Sequence, residues 1–257
     1  MPAITPSYDD IVSRNAISIL ATPGDLTVRN GDIAVTRWGN LMLNSADYSA
    51  FHRLVQTWRY NFPTMSTVFE AMLQTIADES SAEADLDSMG GMPWTSVRGL
   101  RQDLDADRYH ETLDRMNVVK VGRGIYAGMI TLFLSRILGT FRADISATQD
   151  EWRSTGALLQ GCSFGQIIEA AANNVRHADE WLVTSSASTQ QLKSVRVITA
   201  VLQQPMPMDG SIRGFAHDVS PDILDLLSGR DFLQLERGTF AFAMALLSHR
   251  EKRTASL

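Results

Sequence analysis

The chain has 257 residues, 44% apolar and 20% charged, and its 23 Lys+Arg against 29 Asp+Glu give a formal net charge of −6. That composition belongs to a globular chain able to bury a sizeable core in one large domain or two small ones. The acidic balance argues against a dedicated nucleic-acid coat, and a lone cysteine, Cys162, excludes an intrachain disulfide or a cysteine-built zinc site.

The opening residues, MPAITPSYDD, lack the basic start and apolar run of a signal peptide. Alternation of Leu26 and Val28, an Asn30-Gly31 turn, then Ile33 and Val35, predict a β-hairpin. Trp38-Gly39-Asn40 turns the chain again into a third strand at Leu41 and Leu43, completing a small antiparallel meander. Tyr48, Phe51, Val55 and Trp58 then share one stripe of a helix capped by Ser45 or Asp47 and ended by Pro63. Thr64 caps a second helix, with Met65, Val68, Phe69, Met72 and Ile76 inward. Residues 78–93 are acidic, small and glycine-bearing, which predicts a flexible loop or linker.

Helical periodicity resumes beyond it. Asp105 to Asn117 has one polar face, and Val118 to Leu138 is strongly apolar, with Gly122, Gly124 and Gly128 admitting close helix approach. Its charge-free run from Gly124 to Ser135 spans about 18 Å as a helix, short of a bilayer core. A buried core helix in a cytoplasmic protein without a membrane partner is expected. Ser146 with Gln149, and Ser163 with Gln166, read as capping boxes. Helices at 189–203, 221–227 and 231–253 close the chain. The expected fold is mainly α: a helical bundle with a small N-terminal antiparallel β meander. The expected organisation is 1–77 for the meander plus two helices, 78–93 for the linker and 94–257 for the bundle.

The helix from Ser163 to Leu182 carries the functional signal. Phe164, Ile168, Ala171, Val175, Ala178 and Leu182 form an apolar seam. Beside it run Ile167, Ala170, Asn174, His177 and Trp181, with Asn173 a turn before His177 and Glu180 three residues after it. An imidazole beside a carboxylate and a carboxamide suits a general acid or base. The same residues also suit hydrogen-bonded bridges between helices.

The run Ala172-Asn173-Asn174-Val175-Arg176-His177-Ala178-Asp179-Glu180-Trp181 resembles the A-N-aromatic-x-K-H-x-D-E-W helix of bacterial HEPN-like helical proteins. It is similar, too, to the R-N-x-x-x-H element of HEPN ribonucleases, which cleave RNA without metal near a dimer interface. Asn173 and His177 fall on the motif's polar residue and histidine, whereas Ala172 stands where the motif has arginine. The resemblance implies His177 as acid/base, Asn173 and Glu180 orienting it, and Arg176 as the available cation. It also implies a homo-oligomer, RNA as a partner, no cofactor, and a place in a bacterial or phage toxin or defence system.

Two other readings compete. Gly161-Cys162-Ser163-Phe164-Gly165 matches the G-x-S-x-G elbow of serine hydrolases, and Ser163, then Asp222 or Asp225, then His249 follow in that order. The elbow needs a preceding strand, for which only Gly156 to Gln160 is available. Alternatively the chain is a non-enzymatic interaction, immunity or particle-assembly protein. The meander edge, or an apolar face of Phe240, Phe242, Met244, Leu246 and Leu247, would then meet a protein partner. No histidine pair has metal-ligand spacing, and Cys162 and His177 lie about 22 Å apart along one helix, too far for a dyad.

Overall fold

The computed structural model describes residues 4–20, 28–29, 32–33, 46–89, 106–183, 187–206 and 212–254. They are mostly helical. A hairpin of two long helices, α2 (Ala46–Ser88) and α3 (Ala106–Asp144), dominates. At 43 and 39 residues, each is about 60 Å long. Their ion pairs show the antiparallel register: Arg53 meets Asp144 at one end, Glu79 meets Arg123 further along, and Asp85 meets Arg115 near the other.

Two sequence expectations fail inside α2. Pro63 lies within the helix rather than ending it. The seam Val55, Trp58, Phe62, Met65, Phe69, Met72, Ile76 keeps the heptad spacing of a helix pair straight across the proline. Its packing against the core outweighs one missing backbone hydrogen bond. The expected loop at 78–93 is also helix as far as Ser88, and residues 90–105 lie outside the described set. The acidic residues there are held by α3: Lys120 and Arg123 meet Glu79, and Arg115 meets Asp85. Likewise the two helices expected over 105–138 are one, α3.

Before the hairpin, α1 (Tyr8–Arg14) carries a capping box from Ser7 to Asp10 and buries Ile11 and Val12. Around residue 30 the described pairing is two residues on each side: β1 (Val28–Arg29) against β2 (Asp32–Ile33). The third strand expected at Leu41 and Leu43 lies outside the described residues, so a three-stranded meander is not what the structure describes. The β pairing whose burial is described lies far from the N-terminus, in the hairpin of β3 (Leu158–Leu159) and β4 (Cys162–Ser163). Its turn residues Gln160 and Gly161 have φ of 51° and 77°, the left-handed pair that a two-residue loop requires.

The remaining helices are α4 (Gln149–Ser154), α5 (Phe164–Val183), α6 (Thr189–Val201), α7 (Ser220–Ser228) and α8 (Phe232–Thr254). The α4 cap is Thr148 with Glu151, not Ser146 with Gln149. One core joins α1, α2, α3 and α8 around Trp58, Phe69, Phe141 and Phe240. A second joins α5, α6 and α7 around Trp181, Val195, Ile198 and Ile223. Phe240, Phe242, Leu246 and Leu247 are buried in the first core, so the apolar face of the last helix is spent internally and does not await another chain.

Candidate functional site

The site begins with two helix starts. Ser163 Oγ accepts from Gln166 N at 3.2 Å, and Gln166 Oε1 accepts from Ser163 N at 3.2 Å, starting α5 as a capping box. Ser188 and Gln191 start α6 in the same way, a signature the sequence reading passed over. The two helices pack side by side. Asn173 Nδ2 donates to Ser194 Oγ across them at 3.1 Å.

The buried side of α5 takes in both lines: Ile168 and Ala171 of the expected seam are buried, as are Ile167, Ala170, Asn174 and Trp181 beside it, whereas Leu182 at the end of the seam is exposed. Asn174 is a structural clamp: its Nδ2 donates to Phe215 O at 2.7 Å and its Oδ1 accepts from Val219 N at 3.2 Å. That fixes the loop before α7 onto α5.

His177, Glu180 and Asn173 line one cavity of about 280 Å³, together with Trp181, Ser188, Gln190 and Gln191. His177 Nδ1 lies 3.1 Å from Glu180 Oε1. Nδ1 makes no hydrogen bond among the described residues. Trp181 Nε1 is buried with no hydrogen-bond partner among the described residues. An adjoining cavity of about 300 Å³ is lined by Gln149, Arg153, Gln166 and Lys193. Both are bounded by Glu169, Asn173, Gln190 and Ser194, so they form one cleft between α5 and α6, floored by α4. Glu169 accepts from Trp152 Nε1 at 3.1 Å, which ties α4 to that cleft.

Sequence reasoning thus places three of its four residues together. Arg176 is the exception. It is exposed and turned toward α3, with its guanidinium 3.5 Å from Ser135 Oγ and 3.4 Å from Asn173 Oδ1. The cations that line the cleft are Arg153 and Lys193. Nothing local in the sequence marks them, because α4 and α6 meet α5 only through the tertiary fold.

Ser163 is fully buried, donates its hydroxyl to Trp152 O at 2.6 Å and caps α5. Its strand is two residues of an antiparallel hairpin, not the parallel strand that an elbow requires. Cys162 is buried, and burial pushes its thiol up from the usual range, so it is a packing residue. Among the described residues no group of three His, Cys, Asp or Glu is placed to hold a metal ion.

No family model matches the chain, and no curated protein or solved structure matches it either. The HEPN-like resemblance therefore rests on the residues of α5 alone.

Proposed function

We propose that the α5–α6 cleft binds RNA and cleaves it without metal, with His177 moving the proton. The observation that carries this reading is the meeting of His177, Glu180 and Asn173 on one cavity. Beside His177 Nδ1, the Glu180 carboxylate favours a proton on that nitrogen and leaves Nε2 as the base. Nε2 takes the proton of a ribose 2′-hydroxyl. The 2′-oxygen then bonds to phosphorus while the bond to the 5′-oxygen breaks, and that oxygen is protonated from solvent. The products are a 2′,3′-cyclic phosphate and a 5′-hydroxyl. Lys193 and Arg153, which line the adjoining cavity, suit the charge of neighbouring phosphates along the strand. The amides of Gln149, Gln166, Gln190 and Gln191 suit polar base edges and sugar oxygens.

The test is cleavage of structured RNAs by the purified chain in the presence of a chelator. His177→Ala is expected to lower the rate at least about a hundredfold, with a cyclic phosphate on the products of the wild type. Equal cleavage by both proteins, or none by either, overturns the reading. A second reading, a non-enzymatic interaction protein, is favoured by one observation: an apolar face of α3 is open to solvent.

A further inference from the structure

Helix α3 carries four glycines, and a glycine weakens a helix interior unless a neighbour needs the space its side chain would take. Three have such a neighbour. A Cβ on Gly122 would meet Thr75 at 3.5 Å, one on Gly124 would meet Asp218 at 2.7 Å, and one on Gly128 would meet Val175 at 3.3 Å. A Cβ on Gly139 would meet no atom of the described residues within 4 Å. Gly139 instead borders a cavity of about 430 Å³ between α3, α4 and α5. Its missing side chain keeps that cavity open.

The cavity adjoins the cleft through one residue. Glu169 lines it, and lines both halves of the α5–α6 cleft as well. On α5 it heads a line stepping by four, Glu169, Asn173, His177, and lies about 12 Å from His177 along the helix. Its Oε2 accepts from Trp152 Nε1 at 3.1 Å, which fixes the carboxylate, while Oε1 has no hydrogen bond and no ion pair among the described residues. Trp152 is buried, and the Arg142 guanidinium lies 5.3 Å from the centre of its ring. Arg142 Nε donates to Ala147 O at 3.2 Å, which anchors that group. The cavity thus offers a planar cation and a fixed carboxylate with acceptor sites to spare.

A phosphate would meet charge of the wrong sign at Glu169. A nucleobase uses both groups, stacking on the guanidinium and donating from its edge to the carboxylate. Guanine alone among the four RNA bases presents two adjacent donors, N1–H and N2–H, to match the two oxygens of a carboxylate. Adenine and cytosine present one amino group, and uracil one ring N–H. We propose that this cavity is a guanine-selecting subsite, in which Glu169 accepts from N1–H and N2–H while Arg142 supports the base. Arg176 acts there too: its guanidinium reaches Ser135 on the cavity wall, where it suits the phosphate of the bound nucleotide. The inference rests on the reading of the cleft as an RNA site, and adds that the strand is chosen by a guanine a short step from the bond that is cut.

Fluorescence anisotropy of the full chain with 2′-O-methyl RNA pentamers, whose 2′-oxygens have no proton to give, tests binding apart from cleavage. An all-uridine strand is compared with strands carrying one central guanine or one hypoxanthine, which lacks the 2-amino group. Guanine is expected to lower Kd at least about fivefold against either. Glu169→Gln, which still accepts from Trp152 Nε1, should erase that preference and leave the uridine strand bound as tightly or more so, because a negative charge is gone. Gly139→Phe, which fills the space and improves on glycine in a helix, should erase it too without lowering the thermal midpoint. Equal Kd for the guanine and uridine strands in the wild type overturns the subsite and leaves the ribonuclease reading standing. So does a preference that survives either substitution, or a Glu169→Gln that weakens both strands alike. No binding of any strand at about 300 µM overturns both. A guanine preference that Glu169→Gln abolishes, in a chain that cuts no RNA, supports the subsite and overturns only the ribonuclease reading.

Discussion

Glu236 is the residue on which the first core turns. It is fully buried on α8, and its carboxylate accepts from Arg14 Nε at 2.7 Å, Asn15 Nδ2 at 2.9 Å and Trp58 Nε1 at 2.7 Å. One acceptor thus holds α1, α2 and α8 together. Glu236→Ala strands those donors and should lower stability by about 3–5 kcal/mol, read by urea unfolding, while Glu236→Gln, which keeps an acceptor oxygen, loses less. Asp218 behaves in the opposite sense. Burial pushes its carboxyl up, and the hydrogen bond from Ser220 N with the charges of Arg123 and His217 only partly offsets this. A folded-state pKa above the unfolded one gives stability that is present at low pH and lost as pH rises through the raised value. At pH about 7 the ionised group therefore weakens the fold. Asp218→Asn should melt higher than wild type there, and its advantage should shrink as pH falls toward about 4; scanning calorimetry at the two pH values checks both signs.

At the scale of elements, the start of α5 governs how the cleft is placed. A Cβ on Gly165 would lie 2.6 Å from Phe242 Cζ and 2.7 Å from Trp152 Cε2, both in packed aromatic surroundings. Gly165→Ala should cost about 1–3 kcal/mol and shift α5 against α4 and α8. Ser163→Ala removes the cap of α5 and the bond to Trp152 O, and should cost about 1–2 kcal/mol. The wild-type chain should also fail to label with a fluorophosphonate, since that hydroxyl is buried and committed. Labelling at Ser163 would reinstate a nucleophile there.

Over the whole molecule, the two cores are not separable. Helix α5 gives Ile168 to the first, and Ile167, Ala170 and Ala171 to the second, so neither can open without breaking the other's wall. Unfolding is expected to be a single cooperative transition. Tryptophan fluorescence and far-ultraviolet circular dichroism should trace coincident curves in urea; two resolved steps would show two independent units. The charge distribution takes its meaning at this scale as well. From Tyr60 to Val97 there are six acidic residues and no Lys or Arg, and the chain elsewhere is balanced. Three of the six, Glu79, Glu83 and Asp85, pair with Arg115, Lys120 and Arg123 of α3, so the excess behind the net charge of −6 sits on helix α2 and not in a detached arm.

Much of this was legible in the residues. The mainly helical class, the stripe around Trp58, the box at Ser163 and Gln166, and the grouping of Asn173, His177 and Glu180 all follow from local spacing, because a helix fixes which neighbours at three and four residues share a face. Spacing alone could not decide whether Pro63 and the acidic run end a helix. A single proline or a polar stretch is unfavourable locally, and only the length of packed seam on α2 and α3 outweighs it. Nor could it show that Arg176 faces α3 while Arg153 and Lys193 reach the cleft, or that the last helix is buried and one side of α3 is not. Those outcomes depend on which surfaces meet, and the hydrophobic effect that selects them is non-directional. The sequence by itself determined the helices and which side chains share a helix turn; the tertiary structure decided which faces are covered, which charges are paired and which residues border the cleft.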